Sequence, residues 1–249
     1  MRSTSLLLCF LLSSLALVGQ VRLPKLVSKG MVLQRDTEVK IWGWATAGEK
    51  VTVTFLGSDR TTVATPEGKW EIMLPRMKSG GPYEMKIKAS NEIIIEDILI
   101  GDVWVCSGQS NMEMSMMSLR DKYPDDIATS ENKFIRQFAV PRKHIFSRSL
   151  EDVASGEWVS ADPTSVLRFT AAGYYFARNL YAKYKVPIGL INATLGGSRT
   201  ESWMSEDALK PFPPLYEEAL RFKDTLNIIQ TEAEDRKRIA EWHARAKST

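Results

Sequence analysis

The most informative segment of this chain reads Gly101-Asp-Val-Trp-Val-Cys-Ser-Gly-Gln-Ser-Asn-Met-Glu-Met114. Its residues at 103–106 predict a short, continuously apolar strand, and the polar residues that follow predict a turn. Such a turn places the hydroxyl group of Ser110 at the carboxyl end of the strand. Ligands bind at that end of the strands in open α/β sheets. The segment therefore predicts a strand and a turn that present one serine to a ligand.

Ser110 is a candidate nucleophile because of this position. A serine hydroxyl attacks a carbonyl carbon at neutral pH only where a base takes its proton and N–H donors receive the oxyanion. Gly108 lets the backbone approach the site without a Cβ clash. The pattern differs from the G-x-S-x-G turn of α/β-hydrolases, because Met112 stands where the second glycine would be. A different lineage of serine hydrolases is therefore indicated.

Two further strands and a helix are predicted after this segment. The apolar runs at 134–140 and 186–191 predict strands, and residues 171–184 predict a helix before the last strand. Strands that alternate with helices form mostly parallel sheets. Gly196 and Gly197 follow the third strand, so they are expected at the same sheet edge as Ser110. The expected position of both segments at one sheet edge is stronger evidence for an active site than either motif alone.

Three blocks in the second half of the chain resemble one family. Gly108-Gln-Ser-Asn-Met112 resembles the nucleophile block of the sialate O-acetylesterase family, carbohydrate esterases related to the SGNH hydrolases. Gly173-Tyr-Tyr-Phe-Ala-Arg178, followed by Val186-Pro-Ile-Gly-Leu-Ile-Asn192, resembles the helix and next strand of that family. Gly196-Gly-Ser-Arg-Thr-Glu-Ser-Trp203 resembles its second glycine block. Three blocks in the same order are far more specific than one serine motif.

The first half of the chain resembles the same family. Met31-Val-Leu-Gln-Arg35, Gly68-Lys-Trp70 and Gly80-Gly-Pro-Tyr83 resemble the β-sandwich that precedes the hydrolase domain in many members. The resemblance therefore runs from about residue 21 to residue 203. It implies an α/β protein with a β-sandwich domain at 21–100. An incomplete SGNH-like, flavodoxin-like α/β/α hydrolase domain follows at 101–249, with a helical insertion at 205–249.

The resemblance also implies roles for the candidate residues. Ser110 would attack an acetyl ester of a carbohydrate, and its own N–H and that of Gly196 or Gly197 would stabilise the oxyanion. Gln109 and Asn111 would orient the loop or contact the substrate. No metal or other cofactor is implied, because the histidines and carboxylates show no ligand spacing.

No residue of the sequence fits the general base that the resemblance implies. Glu201 resembles an acid that supports the catalytic histidine in some relatives, but it could equally pair with Arg199 or lie on the surface. Family members use a histidine in a late Asp-x-x-His block, and neither His144 nor His243 has an Asp three residues before it. His144 is expected in a solvated loop, and His243 on a charged helix from about residue 214 to residue 247. We therefore expect an N-terminal fragment of a longer esterase, inactive by itself.

Residues 21–100 have the pattern of a β-sandwich. Alternating polarity predicts strands at 39–44, 51–55, 69–73 and 85–89, with turns at 47–48, 66–68 and 80–81. Trp42, Trp44 and Trp70 could in principle hold a sugar. Packing in the core or between domains is the better interpretation, because buried aromatic residues dominate small sandwich cores.

Residues 1–20 resemble a secretory signal peptide. Arg2 supplies the positive charge, and residues 6–18 form an apolar run that is too short to span a bilayer. The protein is therefore expected to be secreted, periplasmic or lumenal, with no membrane span after signal removal. Cys106 is then the only mature cysteine, and we expect it to be a small buried apolar residue. A net charge of +3 without a basic run gives no support for nucleic acid as a partner.

Two classes of function stay open at this point. The first is an exported esterase that removes acetyl groups from sialic acids or, alternatively, from acetylated xylan and related glycans. The second is a glycan-binding protein whose hydrolase half is decayed or incomplete. Gln109, Ser110, Asn111 and the two glycines favour the first, because a binding protein gains nothing from a strained serine turn. A lipase is a weaker third option.

Overall fold

The computed structural model describes residues 20–143 and 145–247, and the signal-peptide expectation for residues 1–20 lies almost entirely outside them. The strands of the described part are β1 (Val32–Gln34), β2 (Val39–Trp44), β3 (Lys50–Phe55), β4 (Ser58–Val63), β5 (Lys69–Leu74), β6 (Gly80–Lys88), β7 (Glu92–Gly108), β8 (Asn132–Ala139), β9 (Trp158–Ala161) and β10 (Ile188–Thr194). Its α-helices are α1 (Ser110–Glu113), α2 (Pro124–Ala128), α3 (Ala171–Tyr184), α4 (Glu206–Leu209), α5 (Pro213–Arg221) and α6 (Thr225–Lys247).

One long strand connects the two halves of the chain. β7 has 17 residues and lies in a mixed sheet of eight strands. Its first half pairs antiparallel with β6, and its second half pairs parallel with β10. The α/β fold class predicted from the sequence is therefore confirmed. The predicted domain boundary after residue 100 lies inside this continuous strand, and the division into two domains remains a prediction.

The first half of the chain is built mostly from antiparallel strands in two sheets, although β1 pairs parallel with β7. The strand order in the large sheet is β4-β3-β6-β7, and β2 pairs with β5 in a separate two-stranded sheet. Residues of both sheets, including Ile41, Val53 and Ile87, are buried in one core. This arrangement is what a β-sandwich requires, but the assignment of that architecture remains a prediction.

The four strands predicted in this half are present, but one predicted turn is wrong. Residues 80–81 lie at the start of β6, where the pairing with β7 shifts register between Gly80 and Tyr83. Two glycines signal a turn in isolation, whereas here they accompany an irregularity in a paired strand. The packing interpretation holds for Trp70, which is buried. Trp42 packs against the same core while partly exposed.

The second half contains the predicted parallel strands. β7, β10 and β8 lie side by side in parallel, and β9 pairs antiparallel with β8 at the outer edge. Helix α3 has the predicted bounds and packs on one face of this sheet. Cys106 lies in that interface, where burial raises the pKa of its thiol. The other face carries Phe138 and Trp158, which belong to the core of the first half.

Arg136 on β8 is a buried charge between the two halves. Its side chain is 4% exposed, and Nη2 lies 2.8 Å from the carboxylate of Asp97 on β7. Nη1 donates to the carbonyl oxygen of Gly30 at 2.7 Å. A buried guanidinium is tolerated only when its donors are satisfied in this way. Sequence analysis did not identify this residue, because its partners lie far from it in the chain.

The sequence predicts one helix at 214–247, and the prediction of a single, unbroken helix is wrong. The structure has two helices there, α5 and α6, separated at residues 222–224. The side chain of Asp224 accepts the N–H of Leu226 at 2.9 Å, which caps the start of α6. Of the helices in the described residues, none combines the length and apolar character of a bilayer-spanning segment. The helical insertion remains a prediction.

Candidate functional site

Ser110 is placed by the end of the longest strand. β7 ends at Gly108, and Ser110 is the first residue of the short helix α1. Gly108 has a φ of 124°, a conformation that side chains other than glycine rarely adopt. The turn therefore depends on Gly108, and it leaves Ser110 exposed to solvent.

The diglycine segment lies at the same sheet edge as Ser110. Thr194, the last residue of β10, pairs with Gly108, the last residue of β7. The next residue, Leu195, donates its N–H to the carbonyl oxygen of Gly108 at 2.9 Å. Gly196 and Gly197 therefore follow directly from a residue bonded to the serine turn. The juxtaposition expected from the two sequence blocks is present, while the catalytic roles remain predictions.

Backbone N–H groups are available on both sides of this edge. Within the described part of the chain, the N–H groups of Ser110, Gly196 and Gly197 donate to no backbone or side-chain acceptor. An unpaired N–H exposed at a helix start or in a tight loop is a potential oxyanion donor. These N–H groups are the ones that the sequence predicts as oxyanion donors.

Glu113 is a residue of the site that the sequence analysis missed. Its carboxylate packs against the Cα of Gly196, so that a methyl group on Gly196 would overlap it. The same carboxylate forms an ion pair with Arg142. Glu113 therefore connects three segments: helix α1, which begins at Ser110, the loop that contains Gly196 and Gly197, and the segment after β8. An acid three residues after the serine was visible in the sequence, but its partners were not.

A cavity of about 610 Å³ opens beside Ser110. Most of its polar side chains carry hydroxyl or amide groups, namely Ser110, Asn111, Ser115, Ser118, Asn192 and Thr194. Its charged side chains are Glu113, Arg142 and Arg168. A polar cavity of this size suits a sugar better than an acyl chain. A second cavity, of about 660 Å³, lies on β2 and β5, and Trp42, Trp44 and Trp70 line it, while Ser110, Gly196 and Gly197 do not.

The remaining predicted residues lie in less defined positions. Gln109 Oε1 accepts a hydrogen bond from Ser110 Oγ at 3.3 Å. Glu201 lies in a helical turn at Thr200–Trp203 and is half-buried. Arg199 pairs at 3.1 Å with Glu218 on α5, rather than with Glu201.

Of the two histidines, only His243 lies among the described residues, and it is far from the serine turn in the chain. His144 lies outside the described residues. His243 lies on α6, exposed, with its ring 5.0 Å from that of Trp242. The described residues also contain no group of three His, Cys, Asp or Glu side chains that could hold a metal ion.

Comparisons with known proteins agree with this geometry. The family described as "Carbohydrate esterase, sialic acid-specific acetylesterase" matches residues 100–233. The sialate O-acetylesterases of Rattus norvegicus and Homo sapiens are each 32% identical in alignments of 208 positions that cover 76% of this chain. The crystal structure of a carbohydrate acetylesterase from Xanthomonas citri superposes with a TM-score of 0.73 at 37% identity, over 76% of this chain.

The match covers only part of each relative. The aligned region is 38% of the rat protein, 40% of the human protein and 43% of the Xanthomonas citri structure. The chain thus spans about two fifths of the length of these relatives. The match nevertheless includes the serine turn, the diglycine loop and the sheet between them. The family expected from the sequence blocks is confirmed: this chain belongs to the carbohydrate esterase family of sialic acid-specific acetylesterases.

Proposed function

We propose that this chain carries the nucleophile of an exported carbohydrate esterase that removes O-acetyl groups from sialic acids or related acetylated glycans. The observation that supports the proposal is that Ser110 and the Gly196-Gly197 pair follow the ends of two paired parallel strands, which Leu195 joins by donating its N–H to the carbonyl oxygen of Gly108. The polar cavity beside Ser110 supports a sugar as the group that carries the acetyl ester. Family membership supports the same reaction.

In the proposed reaction, Ser110 Oγ attacks the carbonyl carbon of the acetyl group while a base takes its proton. The resulting oxyanion accepts hydrogen bonds from the N–H of Ser110 and from Gly196 or Gly197. Its collapse releases the sugar alcohol, which receives the proton, and leaves an acetyl ester on Ser110. Water then hydrolyses this ester to acetate and restores the serine.

Other predicted residues act around this centre. Gln109, which accepts the hydroxyl hydrogen of Ser110, would hold the oxygen in place before the base acts. Asn111 lines the cavity and would contact the sugar. Glu201 would orient the base. The base itself is proposed to be a histidine other than His243, which lies exposed on α6.

Covalent labelling tests the serine directly. A fluorophosphonate probe is expected to label the complete product of the gene at Ser110, because the probe reacts only with an activated serine. Mass spectrometry of the labelled peptide identifies the site, and Ser110→Ala is expected to abolish labelling. Ser115→Ala, in the same cavity, is the control that should keep it. A folded protein that is not labelled would instead favour a glycan-binding role.

The 249-residue chain alone is expected to be inactive. Its hydrolysis of p-nitrophenyl acetate should be no faster than that of its Ser110→Ala variant, because neither His144 nor His243 has the Asp-x-x-His pattern of the family's base. Initial rates at matched protein concentrations check this. Turnover that depends on Ser110 in this chain would contradict the proposed absence of the base.

A further inference from the structure

We infer that Arg168 is the residue that binds the carboxylate of an acidic acetylated sugar, and that it thereby selects such a sugar over a neutral one. The inference rests on the proposed function and deepens it, since Arg168 and Ser110 line the same cavity. The shared chemistry is a sugar carboxylate. Sialic acids and uronic acids carry this group, whereas the xylose units of acetylated xylan do not.

The charges of the cavity leave Arg168 without a counterion. Of the three charged side chains, Glu113 and Arg142 pair with each other. Among the described residues, no carboxylate oxygen lies within 4 Å of the Arg168 guanidinium. The positive charge of Arg168 acts on the carboxylate of Asp162. That carboxylate already accepts hydrogen bonds at 2.7 Å from the N–H groups of Thr164 and Ser165. One positive charge is therefore free to meet a ligand.

The main chain at Arg168 is fixed with respect to Ser110. Gln137, a buried residue of β8, donates its side-chain N–H to the carbonyl oxygen of Arg168 at 3.2 Å. The Oε1 of Gln137 accepts the N–H of Thr170 at 3.0 Å. Thr170 Oγ1 in turn donates to the carbonyl oxygen of Met112, in helix α1, at 2.6 Å. The backbone from which the Arg168 side chain extends is therefore held, through the buried amide of Gln137 and through Thr170, at a fixed place relative to helix α1.

Asn192 adds a second donor to the same cavity. Its Oδ1 accepts the Oγ1–H of Thr194 at 2.8 Å and the N–H of Thr194 at 3.3 Å. These bonds occupy the oxygen and leave the two amide hydrogens as donors. A carboxylate has two oxygens that accept the parallel N–H groups of a guanidinium and further donors beside them. The free donors of the cavity thus match an anionic group better than a neutral hydroxyl.

Binding of a sugar acid tests the inference without catalysis. The 249-residue chain is titrated with N-acetylneuraminic acid, with its methyl ester and with glucuronic acid, and dissociation constants are measured by NMR. The acid should bind about tenfold more tightly than the ester, which has the same shape without the charge. Arg168→Gln should remove this preference, and raised salt should weaken it. Arg76→Gln is the matched control, an exposed arginine outside the cavity, and it should change nothing.

Three results would overturn the inference: equal binding of acid and ester by the unchanged chain, no binding of either sugar acid, or an unchanged preference in Arg168→Gln. The first comparison needs no variant, so misfolding of Arg168→Gln cannot obscure the answer. Binding of glucuronic acid with the same Arg168 dependence would support recognition of the carboxylate alone, and selective binding of N-acetylneuraminic acid would support a sialic acid. Labelling of Ser110 is measured separately. Its failure would reject the esterase proposal while leaving the carboxylate site in place.

Discussion

Gly196 is the residue at which the site is most tightly packed. The carboxylate of Glu113 occupies the space that a Cβ on Gly196 would need. The obstacle is the end of a side chain, so it can rotate away if it gives up its ion pair with Arg142. That pair is partly solvated and is worth at most about 1 kcal/mol. The glycine therefore matters for the position of Glu113 more than for stability.

Gly196→Ala is expected to lower the free energy of unfolding by no more than about 1 kcal/mol. It should slow fluorophosphonate labelling of Ser110 in the complete gene product, because the displaced carboxylate disturbs the loop that carries the proposed oxyanion donors. Urea denaturation and labelling rates measure the two effects.

Glu113→Ala provides the control for this variant. In the Glu113→Ala background the added methyl group meets no carboxylate, so the stability cost of Gly196→Ala should largely disappear. Additive costs in the double variant would show that Glu113 is not the obstacle.

Among single residues, the sequence identifies those candidates whose position in the site follows from their place directly after a strand. Ser110, Gly196 and Gly197 are of that kind, since parallel strands bring their carboxyl ends to one edge. Glu113 and Arg168 are not, because their importance depends on a partner or a missing partner elsewhere in the chain. No periodicity or motif carries that information.

Helices α2 and α3 are joined by one small polar cluster. Asp126 accepts hydrogen bonds from Arg178 at 2.6 Å and from the hydroxyl of Tyr175 at 2.7 Å. The Arg178 guanidinium, and next the Tyr175 hydroxyl, hold the pKa of Asp126 below its usual value. Burial, with Asp126 beside it, raises the pKa of Tyr175 to about 12. The cluster is thus arranged for a charged Asp126 and a neutral Tyr175.

The stability that Asp126 contributes depends on pH. Its pKa is lower in the folded chain than in the unfolded one, so the contribution is present above the unfolded value, about 4, and is lost as pH falls through the folded value. Asp126→Asn should lower the free energy of unfolding at pH 7 by at most about 1 kcal/mol, because the pair is partly solvated.

Thermal denaturation from pH 7 to pH 2 checks this dependence. The difference between the chain and Asp126→Asn should shrink below pH 4 or so. Asp125→Asn, the adjacent residue on α2, lacks these partners and is the control. A difference that is constant over the whole range would reject the charge-based account.

Elements whose apolar residues recur at a regular spacing could be predicted from the sequence. Elements whose ends or pairing depend on contacts with other segments could not. Helix α3 has its predicted bounds, because its apolar residues recur at helical spacing over four turns. The break between α5 and α6 was missed, since Asp224 competes for a backbone N–H inside an otherwise helical pattern. The first half of β7 was missed too, and with it the continuity of the sheet.

Strand β7 makes the two halves of the molecule mechanically dependent. Ile98, on its antiparallel half, is fully buried in the first core, and Cys106, on its parallel half, lies in the second. Loss of packing in the core of the first half should therefore make the thiol of Cys106 more accessible to reagents in solution. Two independent domains would not behave in this way.

Ile87→Ala tests that coupling. Ile87 on β6 is fully buried, and its truncation should cost about 2–5 kcal/mol. With Cys9 replaced by Ser, the rate at which Cys106 reacts with a thiol reagent should rise together with this loss. Ile94→Ala, an exposed isoleucine on β7, is the control and should leave the rate near that of the unchanged chain. A destabilised first core with an unchanged thiol rate would indicate two separately folding units.

The register between β7 and β10 has a consequence for biosynthesis. Asn192 pairs with Cys106, so the ribosome must deliver helix α3 and everything before it before the serine strand finds its parallel neighbour. Contacts between such distant positions form slowly, and nascent chains meanwhile present an uncovered strand. The pairing that places Ser110 beside the Gly196-Gly197 loop is consequently formed late in synthesis, and until then the growing polypeptide exposes a segment that chaperones for hydrophobic sequences bind.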